Sequence, residues 1–267
     1  MTGDASVRYQ RDDRGVVTIT LIRPERHNAF DDATIADLRA AFDAVAGDED
    51  ARLVVLAAEG RSFCAGADLN WMRRMADFSY EENLADARAL AEMLGHLDAL
   101  PVPTIGRIHG PAYGGGVGLV ACCDIAIGTP EARFVLSEVR LGLVPATIGP
   151  FVVNAIGARA ARRYFVTAER FGADEALRLE LLAQTVPAEA LDDTIARVAE
   201  AILAGGPCAV REAKALIGDL VRGSTADGAP LDARAHTSEL IARVRGSAEG
   251  REGISAFLEK RPPRWKP

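Results

Sequence analysis

The chain has 267 residues, 49% of them hydrophobic, and carries 38 Asp and Glu against 31 Lys and Arg for a net charge of −7 at pH 7. That length suits one large core with a smaller appendage. No apolar run is long enough to span a membrane, and the acidic balance excludes broad electrostatic binding of nucleic acid, which needs a basic face.

In chain order, residues 1–15 are polar and acid-bearing, matching neither a signal nor a transit peptide. Val16–Ile22 is β-branched and short, and reads as a strand ended by Pro24. A helix is predicted over Asp32–Val45, with Leu38, Phe42 and Val45 on one face. Leu53–Ala57 reads as the next strand, followed by the loop Phe63-Cys64-Ala65-Gly66-Ala67-Asp68. An amphipathic helix over Tyr80–Leu100 is closed by Pro101 and Pro103. Thr104–Ile108 and Ile125–Ile127 are predicted strands, separated by the glycine-rich stretch from His109 to Asp124. Such alternation indicates an α/β domain with a largely parallel sheet.

From Leu191 the strand signals vanish, and helical stretches are broken at Gly205-Gly206-Pro207 and around Gly223–Pro230. The expected division is an α/β core over residues 1–190 and a helical segment over 191–267 that packs on the core or on a neighbouring subunit. The tail Arg261–Trp265 is expected to be extended. Cys64, Cys122, Cys123 and Cys208 lack metal-ligand spacing, so no metal is expected and a reducing cytoplasm is the natural compartment.

Signatures of dinucleotide oxidoreductases, P-loop enzymes, serine hydrolases and zinc proteases are missing from the chain. Two loops remain. In the first, Gly66 lies between Ala65 and Ala67, so its backbone amides are accessible. In the second, Gly114-Gly115-Gly116 sits between a strand and an apolar helix. Glycine there admits positive φ and close approach of a ligand, and a helix beginning at the turn offers unpaired N–H groups. Either loop alone reads first as a tight turn; together, one N–H from each could hold a single carbonyl oxygen. Glu138 is an ionisable group within a run of Val and Leu, where burial would raise its pKa and suit it to proton exchange near neutrality. A salt bridge to Arg140 or Arg133 is the competing reading.

Four segments occur in the order seen in the crotonase superfamily of enoyl-CoA hydratases and isomerases. They are Arg23–Phe30, Phe63–Leu69, Gly110–Asp124 and Ser137–Pro145, and the resemblance covers nearly the full length. Asp68–Met72 and Ile148–Val153 further resemble the bacterial methylglutaconyl-CoA hydratase branch of leucine degradation. The resemblance implies a spiral of repeated ββα units followed by a helical trimerisation segment, in a trimer or dimer of trimers. It implies an oxyanion hole for an acyl-CoA thioester, made here by the N–H groups of Ala67 and Gly115, with Glu138 as catalytic acid and base. Arg26, Ala65, Asp68, Leu69, Tyr113 and Gly114 would contact substrate or coenzyme A. Arg26 is either a phosphate partner or an exposed arginine with no fixed partner, and Asp68 is given a loop-holding role. Coenzyme A is part of the substrate, and no further cofactor is implied.

The chain departs from the two-glutamate hydratases of that superfamily at Gly118, where they carry a first carboxylate. The leading expectation is hydration of a branched 2-enoyl-CoA, 3-methylglutaconyl-CoA or similar, with Glu138 acting alone. Arg73, Arg74 or Arg140 could meet a distal carboxylate. The alternatives are an enoyl-CoA isomerase using Glu138 as proton shuttle, and an acyl-CoA-binding protein with little catalysis.

Overall fold

The computed structural model describes residues 5–224, 228 and 230–266. Its first half runs β1 (Val7–Arg11), β2 (Val16–Leu21), α1 (Asp32–Ala46), β3 (Leu53–Ala58), α2 (Leu69–Met75), α3 (Tyr80–Asp98), β4 (Thr104–Ile108), β5 (Ala112–Tyr113) and α4 (Gly115–Cys122). The remainder is β6 (Ile125–Gly128), β7 (Arg133–Val135), α5 (Gly149–Thr167), β8 (Phe171–Gly172), α6 (Ala173–Arg178), β9 (Gln184–Thr185), α7 (Leu191–Leu203), α8 (Pro207–Arg222), α9 (Ala233–Gly246) and α10 (Ala248–Leu258).

A six-stranded sheet has the order β1-β2-β3-β4-β6-β9, parallel except for β1, which pairs antiparallel with β2. Side-chain alternation divides β3 between two cores: Val54 and Leu56 join the main cluster with Phe42, Leu38 and Leu97, whereas Leu53 and Val55 face Leu191, Ile195, Ala199 and Leu203 of α7. Burial on both faces is why this strand reads as an unbroken apolar run. The helical region therefore begins with a helix that covers the second face of the sheet. Lys214 then ties α8 to the core, donating to Asp124 Oδ2 at 2.7 Å and to the Val102 carbonyl at 3.1 Å.

A second, smaller ladder positions the loops. β5 and β7 pair in parallel, β7 and β8 antiparallel, and single parallel bridges Phe30–Ala67 and Cys64–Ala112 extend the same construction. The repeating unit is a long strand, a short piece in the small ladder, then a helix. It runs β2–Phe30–α1, β3–Cys64/Ala67–α2, β4–β5–α4 and β6–β7–α5. This is the expected spiral of ββα units, built with pieces too short to show as a sequence repeat.

Eight elements had no counterpart in the sequence reading: β1, α2, β5, β7, α5, β8, α6 and β9. β1 carries Arg8, Gln10 and Arg11 on a sheet edge, where charge is common and the apolar alternation of a buried strand is absent. α2 is short and capped by Asp68. α5 starts with Pro150 in its first turn and is interrupted at Gly157 (φ 73°, ψ 154°). The tail departs from the extended form expected. Arg261 forks onto Glu252 at 2.6 and 3.1 Å, the Trp265 indole donates to the Ala204 carbonyl at 3.3 Å, and the Lys266 N–H closes a turn onto Pro263. These bonds fold residues 261–266 back beside α10 and the end of α7. The predicted break around Gly223–Pro230 lies partly outside the described residues; α8 ends at Arg222 and α9 begins at Ala233. Among the described residues, no helix is long and apolar enough to cross a membrane.

Candidate active site

The site is assembled by loops from successive units, and Asn28 joins the first two. Its buried side chain accepts the Arg23 N–H at 2.9 Å and donates to the carbonyls of Glu59 and Ser62 at 2.8 and 2.9 Å. Truncating it would leave three main-chain groups, one of them buried and two part-buried, without these partners. Asn28→Ala is expected to lower folding stability by about 2–4 kcal/mol, given roughly 1–3 kcal/mol for each buried group left unsatisfied. Urea titration of the two proteins measures this directly.

Phe30 connects both candidate amides. Its N–H donates to the Gly66 carbonyl at 2.7 Å and its carbonyl accepts the Asp68 N–H at 2.6 Å. Ala67, between these two bonds, keeps an N–H with no acceptor among the described residues. On the other loop, Gly115 begins α4, and its N–H likewise has no acceptor among the described residues. A side chain on Gly115 would begin 2.6 Å from the Phe30 ring, so this residue lies against the aromatic group whose backbone holds Ala67. The loops also touch directly. Gly66 has φ of +82°, and a Cβ there would lie 2.7 Å from the Tyr113 carbonyl oxygen. The Tyr113 N–H donates to Cys64 at 2.9 Å and the Gly114 N–H to Val135 at 2.9 Å. Three consecutive units are thereby sewn together behind the glycine turn.

Glu138 opens a one-turn 3₁₀ helix, Glu138–Leu141, just after β7. Its Oε1 lies 3.2 Å from the point where a Gly114 side chain would begin, so the carboxyl occupies space that glycine leaves free. Oε2 is buried and has no hydrogen-bond partner in the described structure. Burial pushes its pKa above the ordinary glutamate value, with a bond to its own backbone amide opposing the shift. Neither competing arginine pairs with it: Arg140 donates to the Ala168 carbonyl at 2.8 Å, and Arg133 to the Ala132 carbonyl at 2.7 Å.

Asp68 caps α2, accepting the Asn70 and Trp71 N–H groups at 2.8 and 3.2 Å, and also pairs with Arg26 Nη1 at 3.1 Å. Burial alone would raise its pKa, but those two amides and the Arg26 guanidinium outweigh burial and hold it below the usual range. Arg26 is half exposed. The Ala65 N–H is committed to the His27 carbonyl at 3.0 Å. Leu69 is 70% exposed, in keeping with a rim position. Arg73 donates to Asn70 and Arg74 pairs with Asp32. Phe30, Asn28 and Ile148 fall within the segments that carry the resemblance but were given no role at the site, and Arg170 was not named from sequence. Arg170, whose guanidinium sits 5.6 Å from the centre of the Tyr113 ring, reaches Tyr113 only through the β7–β8 pairing. Asp124 accepts from the Thr104 N–H and hydroxyl as well as Lys214, and His109 Nε2 lies 2.9 Å from the Gly60 carbonyl.

At Gly118, where two-glutamate relatives carry their first carboxylate, the neighbouring space is filled by Ile148 and Leu94.

Comparison with known proteins agrees with this architecture. A putative enoyl-CoA hydratase of Thermus thermophilus is 35% identical over 251 residues, covering 94% of this chain and 97% of the relative. The 1,2-epoxyphenylacetyl-CoA isomerase of Escherichia coli is 32% identical over 258 residues, 95% of each chain. The crystal structure of an enoyl-CoA hydratase from Shewanella pealeana superposes with a TM-score of 0.91 at 42% identity, covering 97% of this chain and 96% of that one. Residues 11–267 match the enoyl-CoA hydratase/isomerase family. By fold, by ordered motifs and by match over nearly its whole length, the chain belongs to that family, within the crotonase superfamily.

Proposed function

We propose that the protein adds water across the double bond of a branched 2-enoyl-CoA, 3-methylglutaconyl-CoA or a close analogue, with Glu138 as its single acid–base group. The N–H groups of Ala67 and Gly115 would receive the thioester oxygen as it gains negative charge. The Glu138 carboxylate takes a proton from water as the oxygen bonds to Cβ. The π electrons move onto the thioester as an enolate held by the two amides. The protonated Glu138 then returns a proton to Cα, so the sum is one water added and the carboxylate regenerated. Coenzyme A arrives as part of the substrate, and no other cofactor enters this scheme.

The observation that carries the reading is the half-buried Glu138, whose Oε2 is buried without a hydrogen-bond partner and whose Oε1 rests against Gly114, one residue before the free Gly115 amide. Arg140, exposed and held by one carbonyl only two residues after Glu138, supports a distal carboxylate on the acyl group. Incubating purified protein with 3-methylglutaconyl-CoA is expected to give a product heavier by one water.

Isomerisation is favoured instead by one observation, the filled space at Gly118, because moving a proton from Cγ to Cα needs one carboxyl and no water. A product of unchanged mass with a shifted double bond would establish it. Binding of acyl-CoA without turnover over a broad panel would favour a binding protein.

The apolar side chains of Ile217, Leu220 and Val221 on α8 and of Ile254, Phe257 and Leu258 on α10 are exposed in the single chain. Their burial in a trimer, or a dimer of trimers, accounts for so much apolar surface. Light scattering is expected to return the mass of three or six chains.

A further inference from the structure

Gly118 lies on α4 one helical turn beyond Gly114, whose carbonyl accepts its N–H at 3.3 Å, and Gly114 is the residue against which Glu138 Oε1 rests. By helix geometry the two α-carbons are about 6 Å apart. A side chain on Gly118 would begin 2.5 Å from Cγ2 and 3.1 Å from Cβ of Ile148, and 3.4 Å from Cδ1 of Leu94. Ile148 is 2% exposed and Leu94 fully buried. Close-packed side chains of this kind cannot retreat by an ångström without displacing their own neighbours. Ile148 is further fixed by its place at the head of α5, where the Val152 N–H donates to its carbonyl at 3.0 Å. Glycine in the middle of a helix is unfavourable unless something needs the room. Here the room is taken by an isoleucine.

We infer that Ile148 is a positioning residue for the proposed hydration. By filling the place one turn along from the Glu138 carboxyl, it keeps out a second proton-carrying side chain and the water such a group would hold, and so commits both proton transfers to Glu138. The inference rests on the hydratase reading for its chemistry and on packing alone for its steric half. The charged groups around the acid are consistent with this. Arg140 is turned to Ala168 and Arg133 to Ala132, and no ion pair reaches Glu138 among the described residues.

Three variants test it: G118E, I148G and the double variant G118E/I148G. Melting temperature and the pH profile of kcat/KM are measured for each, with crotonyl-CoA and 3-methylglutaconyl-CoA as probes. G118E alone is expected to melt well below the parent and to lose turnover, because its side chain starts inside Ile148. I148G opens a space that water enters, and the acidic limb of its profile is expected to move toward lower pH. The double variant is expected to melt close to I148G, to show a second ionisation in its profile, and to hydrate crotonyl-CoA at least about tenfold faster than I148G, a modest share of what a positioned acid–base group supplies.

A G118E protein that melts like the parent would show that no steric lock exists. A double variant that folds like I148G yet keeps one unchanged ionisation would show that the site has no place for a second acid, overturning the inference. Should the parent hydrate neither probe, the hydratase reading fails by itself, whereas rescue of G118E melting by I148G still decides the steric half.

Discussion

Replacing Glu138 by glutamine is expected to lower kcat for the proposed hydration by about 10²–10⁴-fold, the span ordinarily supplied by a positioned general acid–base group. Glutamine preserves the shape that fits against Gly114, so KM for the acyl-CoA ester should move little. The loss should be larger than in enzymes with two carboxylates, because Gly118 offers no second group to take over.

The same variant has a stability signature of opposite sign. Burial raises the Glu138 pKa in the folded protein, so the charged form is disfavoured there relative to the unfolded chain. Its contribution is fully present below the unfolded pKa and is lost as pH rises through the folded one. E138Q should therefore be more stable than the parent at neutral pH, with the gap closing as pH falls below the ordinary glutamate range. Melting temperatures of both proteins across that window measure it. An enzyme that gains stability while losing turnover is holding a carboxylate where folding alone would not place one. Hydration in the parent should fall on the acid side as Glu138 takes up its proton, and that limb should lie at higher pH than for an exposed glutamate.

The second large effect is expected at Gly115. A valine there must begin 2.6 and 2.9 Å from two carbons of the Phe30 ring, which is 1% exposed within the main core and close-packed there. The start of α4 has to shift instead, taking the Gly115 N–H with it. Losing one donor of an oxyanion hole typically costs about 2.7–4 kcal/mol of transition-state stabilisation, or about 10²–10³ in kcat. Gly115→Val should reach that range in kcat. Gly142→Ala serves as a control: that glycine also has positive φ (72°), but a Cβ there meets nothing within 4 Å. It should show backbone strain in its melting temperature without a comparable loss of kcat. If Gly115→Val kept full turnover, the oxyanion would have to be held elsewhere.

Several features followed from residue order alone because each is a local pattern. The long strands are runs such as Leu53–Ala58 bounded by breakers, and their limits agree with the structure to within a residue or two. α3 was marked by its apolar face and by the prolines beyond it, and it starts with a Ser79–Glu82 capping box. The glycine turn stood out because three consecutive glycines mark a backbone that side chains would not allow, as with φ +48° and ψ −119° at Gly114, and Glu138 because charge is rare inside a Val and Leu run.

What local pattern could not reveal was anything made by contact between distant segments. The small ladder depends on single bridges, Phe30 with Ala67 and Cys64 with Ala112, which leave no periodicity to detect. Asn28 lies within the Arg23–Phe30 segment, but nothing along that segment shows that its side chain holds three main-chain groups. The tail folds back because Arg261 finds Glu252, a partner nine residues earlier on α10. Gly118 could be read as a missing acid, but only packing shows its place filled by an isoleucine thirty positions later. Residue order settled which chemical groups the chain owns and marked β2, β3, β4, β6, α1 and α3, since those patterns depend on neighbours along the backbone. Three-dimensional packing alone decided which groups meet, which carboxyl oxygen is buried without a partner and which space is closed, since burial and excluded volume act between segments far apart in the chain.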